Sequence, residues 1–287
     1  MRLGVSLLLG SLCLTCLTGP AAASGCDREC LRGVLTVYLN ALVKHDTGKL
    51  ALAAGVRITE DGIGKPMSEV RLVRSVTKIR AYRQDFLDES AGVAGSDVVI
   101  EESGAPVLLV LRMKVVDDEI TEIETVATRS RAEGAIFDID ALERPSEVMS
   151  YVPRPEQLAS RAEAIEMALH YPAGLEAGSF VKVDAPFAPD AYRFENGAVM
   201  AGPDCTRNEE CKNMKTQPLG TGTRGKVATR VAAVDERLGI VWLRMAWNRG
   251  QDQKLAVWES FKIYDGQIHA VEAFMKLLPV DLGSGWD

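Results

Sequence analysis

The stretch Asp88-Glu89-Ser90-Ala91-Gly92-Val93 returns as Asp235-Glu236-Arg237-Leu238-Gly239-Ile240, and that recurrence decides how the chain is read. Downstream, Lys114-Val115-Val116-Asp117, with Ile120 and Glu124 after it, returns as Lys262-Ile263-Tyr264-Asp265, with Ile268 and Glu272 after it. Upstream, Glu60-Asp61-Gly62 returns as Glu195-Asn196-Gly197. The matches keep their order at separations of about 135 to 148 residues, the size of one small domain. Two copies of one fold are therefore expected: a first repeat over residues 26–130, a linker over 131–154 and a second repeat over 155–287.

Residues 1–25 stand apart. Arg2, the apolar run Leu3 to Leu17 and the small-residue exit Gly19 to Gly25 read as a secretory signal peptide, too short and wrongly flanked for a membrane span. A secreted or periplasmic location follows, with no integral membrane span. Ala23-Ser24-Gly25-Cys26 also faintly resembles a lipoprotein cleavage box, but Ala23 stands where Leu is usual, so a lipid anchor ranks second. The rest of the chain carries 32 basic against 40 acidic side chains and no basic run, which argues against a nucleic-acid partner. The full sequence is 47% hydrophobic and 25% charged, which gives material for two globular cores. Cys26, Cys30, Cys205 and Cys211 remain after the leader, an even number that favours disulfides in an exported chain. Pairing within each close pair is simplest; the alternative staples the N-terminus to the second-repeat loop. Their spacings differ from those of zinc knuckles, so no metal is expected.

Leu31, Val34, Leu35, Tyr38, Leu39 and Leu42 form one apolar stripe, a helix capped by Ser24 or Asp27 and ended at His45-Asp46-Thr47-Gly48. Val56 to Thr59 is a short strand, Ser68 to about Tyr82 is helix-like, and Val98–Glu101, Val107–Val116 and Ile120–Thr128 are strands. Pro145, Pro153 and Pro155 break the linker, and Pro155 suits the start of a helix running to about Leu169. Two insertions follow, at 172–191 and 198–225. Thr229–Val234 with Gly239–Trp247, and Leu255–Tyr264 with Gln267–Met275, form hairpins, the second closed by Asp265-Gly266.

Helix, short strand, more helix, then long strands is an α+β order. It resembles the NTF2-like (SnoaL-like) cone fold. The residues that carry the resemblance are Val37 to Asp46, the strand end Arg57-Ile58-Thr59-Glu60-Asp61-Gly62, and the closing hairpins around Asp117 and Asp265. The chain also looks like a family of exported two-repeat proteins of unknown function with a paired-cysteine start and a Ser-Gly-Trp tail, here Ser284-Gly285-Trp286. The resemblance implies two cones, each a curved antiparallel sheet wrapped on a long N-terminal helix. It also implies a pseudo-dimer within one chain, which a monomer would satisfy.

The first repeat is similar to ketosteroid isomerases. That similarity implies Tyr38 as an oxyanion donor and Asp61 as a general base; the third acid of that family is replaced by Leu111. The second repeat has Glu259 at that point, but Asn196 in place of the aspartate and about Glu163 in place of the tyrosine. A carboxylate in an apolar cone would have a raised pKa, and Asp61 with Tyr38 would suit enolisation, elimination or dehydration without a cofactor. Glu60 and Glu195 recur and pair most simply with Arg57 and Arg193. Glu124, Glu272, Lys114 and Lys262 recur on the last hairpins, where solvent-facing strand charges are the simplest reading and a pocket-facing role for Glu124 the other. His45 and His170 follow the first helix of each repeat; His269 lies on the last strand. Trp242, Trp247 and Trp258 either fill a core or line a flat pocket. Gly220-Thr221-Gly222-Thr223-Arg224-Gly225 imitates a dinucleotide fingerprint but precedes no helix. The expected activity is that of a cofactor-independent lyase or isomerase on a small, moderately apolar molecule. Asp61, Tyr38 and Glu259 are the candidate catalytic residues, with Glu60, Arg57, His45, Glu124, Trp258 and His269 as candidate binding residues. The alternative is a non-catalytic ligand-binding or scaffold protein.

Overall fold

The computed structural model describes residues 25–219 and 225–286. The expected leader, apart from Gly25, and the run Gly220 to Arg224 lie outside the described residues. The first sheet comprises β1 (Leu52–Glu60), β2 (Ile63–Gly64), β3 (Val76–Asp88), β4 (Val93–Glu102), β5 (Ala105–Val116) and β6 (Glu119–Thr128). The second comprises β7 (Phe187–Glu195), β8 (Ala198–Ala201), β9 (Ala228–Asp235), β10 (Ile240–Asn248), β11 (Gln253–Tyr264) and β12 (Gln267–Pro279). Each is six-stranded, and the spatial orders, β2-β1-β6-β5-β4-β3 and β8-β7-β12-β11-β10-β9, are the same. The sheets are mixed, not antiparallel as expected. The long strands joined by tight turns pair antiparallel, but β1 runs parallel to β6 and β7 to β12. The chain reaches β6 from β1 only after a long excursion, which permits a parallel neighbour that a hairpin forbids.

The α-helices among the described residues are α1 (Arg28–Lys44), α2 (Arg71–Ser75), α3 (Arg131–Gly134), α4 (Glu147–Ser150) and α5 (Arg161–Ala177). The apolar stripe of α1 is buried as its spacing requires, sharing one core with Val98, Ile100, Leu109, Leu111 and Met113. Asp27 accepts from the Cys30 N–H at 2.9 Å, and His45, at φ 54°, ends the helix.

Two helical expectations are corrected. Most of Ser68–Tyr82 is strand: α2 stops at Ser75 and β3 begins at Val76. The three-residue spacing of Val73, Val76 and Ile79 fits two helical turns, but the pairing of the thirteen-residue β3 with β4 wins. The helix expected from Pro155 to about Leu169 instead starts after the Ser160 cap, where Ser160 and Glu163 bond each other's backbone N–H, and continues through Pro172 to Ala177. This shift of register makes Tyr171, not Glu163, the counterpart of Tyr38: each is the eleventh residue of a 17-residue helix.

A third apolar cluster draws on both sheets, with Tyr82 stacked on Phe274 (5.8 Å) and Phe86 on Trp242 (4.8 Å). Gly95 lies directly against Trp242; a Cβ there would meet the indole at 2.5 Å, so only glycine fits. Glu124, Glu272 and Lys262 are buried rather than solvent-facing, and Lys114 is half-buried. Glu124 is 2% exposed and takes Arg230 Nη2 of the other half at 2.6 Å. Lys114 donates to the Ala91 carbonyl, and Lys262 to the carbonyls of Leu238 and Tyr151. Each lysine ties the last hairpin of its half to the neighbouring strand turn. Among the described residues the disulfides are Cys26–Cys30 and Cys205–Cys211. Among the described residues no helix is long and apolar enough to cross a membrane.

Candidate active site

Alternation along β7 puts Arg193 and Glu195 on one face and Tyr192 and Phe194 on the other; along β11 it puts Leu255, Val257 and Glu259 on one face. In the register of β7, β12 and β11, Glu195 lies beside Ala273 and Ala273 beside Glu259. The small Ala273 leaves open the space that both carboxylates flank. Tyr171 and Leu175, one turn apart on α5, reach the same space. Together these groups line a cavity of about 230 Å³, whose lining also includes Trp247, Met275, Arg249 and the loop residues Pro218 and Leu219.

Arg193 organises the polar end. Its Nη1 donates to Tyr171 Oη at 3.0 Å, its Nη2 to Gln217 Oε1 at 3.1 Å, and its Nε forms an ion pair with Glu195 Oε1 at 3.2 Å. Burial works against the cation, but Tyr171, Glu195 and Glu259 outweigh it and hold the guanidinium charged. Glu259 is 2% exposed. Burial first, then the charge of Glu195, pushes its pKa up to about 8, while Arg193 and Tyr171 pull the other way. Burial also drives the Tyr171 hydroxyl well above the usual phenol range, so it stays protonated and can donate.

The first half lacks this cluster. Ile58 stands where Arg193 does, and Leu111 where Glu259 does, given the shared strand register. Tyr38 is fully buried among apolar residues, its hydroxyl has no hydrogen-bond partner among the described residues, and burial with nearby Glu60 raises its pKa. Glu60 accepts from Lys65 Nζ (2.6 Å) and from the N–H groups of Arg71 (3.1 Å) and Leu72 (3.0 Å), rather than from Arg57. Burial alone would raise the Glu60 pKa; these donors outweigh it and lower it.

The other sequence candidates are dispersed. Asp61 sits at φ 54°; its carboxylate accepts from the Ala127 N–H at 3.0 Å and from Lys276 Nζ of the other half at 2.8 Å. Asn196 is at φ 46°, and its side-chain oxygen accepts from the Met275 N–H at 2.8 Å, the same task in the second half. Arg57 is exposed, lies 4.4 Å over the Trp286 ring and donates to the Gly285 carbonyl. His45 bonds the Val73 carbonyl (2.8 Å), and His170, inside α5 rather than after it, bonds that of Val183 (2.8 Å). His269 stacks on Tyr264 at 3.6 Å, and burial lowers its pKa. Trp258 is buried in the cluster shared by the sheets, on the strand face opposite Glu259; Trp247 lines the cavity. Sequence reading missed Tyr171 because of the helix register, and gave Arg193 only a pairing role.

A family model described as "Domain of unknown function (DUF8021)" matches residues 157–275, the part of the chain that holds most of this cavity. No curated protein matches the chain. Among solved structures the chain is similar to an LEH-like epoxide hydrolase of M. tuberculosis, 20% identical, with 42% of this chain and 85% of that one covered and a TM-score of 0.29.

Proposed function

We propose that the second half is a cofactor-independent acid–base enzyme, a lyase or isomerase acting on a small, moderately apolar molecule in the cavity beneath α5. One observation carries this reading. Arg193 and Glu259 occupy interior positions that the first half fills with Ile58 and Leu111. The apolar pair shows what this fold packs there when stability alone decides. A buried ionic cluster in the same place gives little net stability, so its retention points to chemistry.

Glu259 is the acid–base group. In its carboxylate form it takes a proton from a carbon beside a carbonyl. The C–H electron pair forms a carbon–carbon double bond and the C=O π pair moves onto the carbonyl oxygen, where the Tyr171 O–H and the Arg193 charge stabilise the enolate. Returning that proton to a different carbon completes an isomerisation. Loss of a β-substituent with its electron pair completes an elimination, and Glu259 then releases the proton to water. Gln217 and Glu195 hold Arg193 in position.

Asp61 and Tyr38 have structural roles in this reading, as turn carboxylate and core residue. The two halves act as NTF2-like cones in a pseudo-dimer, one scaffolding and one catalytic; the reciprocal contacts of Asp88 and Asp235 support that pairing. The two disulfides support export to an oxidising compartment.

The test is proton exchange. The mature chain is incubated in D₂O with a panel of small apolar ketones and enones, and NMR follows deuterium entering beside the carbonyl. Wild type should catalyse exchange, Glu259→Gln should not, and Asp61→Asn should match wild type. Equal exchange by wild type and Glu259→Gln would overturn the assignment, and so would no exchange by wild type across the panel.

A further inference from the structure

We propose that the seam between the two sheets is a proton-operated latch: Asp97 of the first half and Glu272 of the second face each other there without an ion pair, hold the seam closed while they keep a proton, and loosen it when both ionise.

Asp97 shares a face of β4 with Val93 and Val99, and Glu272 a face of β12 with Ala270 and Phe274; all four apolar residues belong to the cluster that both sheets build. Both carboxyls are buried. The donors to the Glu272 carboxyl are neutral hydroxyls: Tyr192 of β7 at 2.5 Å, Ser146 of the linker at 3.0 Å and Tyr82 of the first half at 3.4 Å. Ser260 of β11 bonds the Glu272 backbone carbonyl at 3.1 Å. Asp97 Oδ1 has no hydrogen-bond partner among the described residues. Gln84, opposite Asp97 on β3, donates instead to the Asp85 carbonyl at 3.2 Å.

The cations of the surrounding strands are engaged elsewhere. Arg80 of β3 pairs with Glu101 at 2.9 Å, Arg112 of β5 with Glu122 at 2.8 Å and Lys276 of β12 with Asp61 at 2.8 Å. Arg244 of β10 lies 5.6 Å over the Trp258 ring. The repeat shows the alternative. Glu124, the counterpart of Glu272, takes Arg230 across the seam at 2.6 Å. Matching Val93 with Ile240 sets Arg244 in the place of Asp97. The fold thus accepts a basic residue where the first half keeps a second acid.

Two carboxylates cannot both stay charged in such a layer, because each loses its hydration and the two repel. Burial first, then the charge of Glu272, holds the Asp97 carboxyl well above the usual carboxylate range. Burial pushes Glu272 up to about 7, against the pull of the three hydroxyls. Those hydroxyls can donate or accept, so the second half tolerates Glu272 in either state. The cost of the second ionisation therefore falls on the contact with Asp97. Both groups bind protons more tightly in the folded protein, so their contribution is full in acid and is lost as pH rises to about 7 and beyond.

Hydrogen exchange on the mature chain tests this, read by mass spectrometry on peptides of β3 and β4 and corrected for base catalysis. Wild-type protection should fall at least about tenfold from pH 5 to 8, the least expected of one carboxyl whose pKa differs by a unit between closed and open seam. Glu259→Gln should show the same fall, which separates the latch from the candidate active site. Asp97→Asn should lessen the fall by about threefold or more. In Glu259→Gln at pH 7, infrared spectra should retain the carbonyl stretch of a protonated carboxylic acid, and adding Asp97→Asn should diminish it. Flat wild-type protection from pH 5 to 8, absence of that stretch, or an Asp97→Asn profile equal to wild type would each overturn the proposal. If Asp97→Asn does not fold, the wild-type profile and the Glu259→Gln spectrum decide.

Discussion

Asp88 and Asp235 each hold the first arginine of the other half's long helix. Arg161 Nη2 meets Asp88 Oδ2 at 2.6 Å, and Arg28 Nη1 meets Asp235 Oδ1 at 2.8 Å. The exchange extends to the backbone. Asp88 also accepts from the N–H groups of Ala91 and Val234, and Asp235 from those of Leu238 and Leu87. Each carboxylate thus closes its own turn, grips the opposite strand and anchors the opposite helix, which is why the motif around it recurs.

The two ion pairs differ in burial, and their strengths should differ accordingly. The Arg28 side chain is 9% exposed and that of Arg161 31%. Truncating Asp235 to Ala strands a buried guanidinium and two N–H groups, a loss of about 3–5 kcal/mol. A double-mutant cycle of Arg28→Met with Asp235→Asn in urea should return a coupling of about 2 kcal/mol or more. The cycle of Arg161→Met with Asp88→Asn should give about 1 kcal/mol, because solvent screens the partner. Equal couplings would contradict the assignment of the difference to burial.

Asp61→Asn tests whether this carboxylate is structural. An asparagine oxygen can still accept from the Ala127 N–H, as Asn196 does from Met275 in the second half. What is lost is the charge facing Lys276, whose Nζ also contacts the Ala127 carbonyl at 2.7 Å and Glu133 at 3.3 Å. The variant should fold, lose roughly 1–2 kcal/mol in chemical denaturation and keep its activity. Abolished turnover at unchanged stability would restore Asp61 as the base.

Much of the fold was legible because its repeated residues are structural. Asp88 and Asp235, Lys114 and Lys262, and the turns at Asp117 and Asp265 recur because both halves need the same joints. Of the candidate site, Glu259 was legible because it differs from Leu111 at a matched position, whereas Arg193, matched by Ile58, was read only as a partner for Glu195. Recognising Tyr171 as the partner of Tyr38 required the true start of α5, which Ser160 and Glu163 mark with a capping box. The nearby Pro155 hid that signal, and Pro172 hid the helix's length, since proline normally ends a helix that packing here sustains. The burial of Glu124, Glu272 and Lys262 was illegible from strand alternation, because both faces of these sheets are covered.

Glu259 should make stability depend on pH. Its pKa is raised in the folded protein, from 4.5 to about 8, so the folded state binds the proton more tightly than the unfolded chain. The favourable contribution is complete below about pH 4.5, declines as pH rises and is gone above about pH 8. Glu259→Gln cannot ionise and escapes that decline. Its melting temperature relative to wild type should rise steadily between those limits and level off beyond them. A difference that stays flat from pH 4 to 9 would show that Glu259 titrates normally.

The decisive comparison swaps the second-half cluster for its first-half counterpart. Arg193→Ile with Glu259→Leu replaces buried charge by the pair that Ile58 and Leu111 already form in the same fold. Exchanging a buried ionic cluster for apolar residues is commonly neutral or stabilising by about 1–4 kcal/mol. Glu195 loses its Arg193 partner, but at 20% side-chain exposure it can turn to solvent. Arg193→Ile alone should be destabilising, because it leaves Glu259 and Glu195 without their cation and Gln217 without its donor. The double variant should therefore be more stable than the single one and at least as stable as wild type by urea denaturation, yet inactive in deuterium exchange. Stability gained as chemistry is lost is the signature of a site kept for function. A double variant that unfolds would instead mean that the cluster holds the second sheet together.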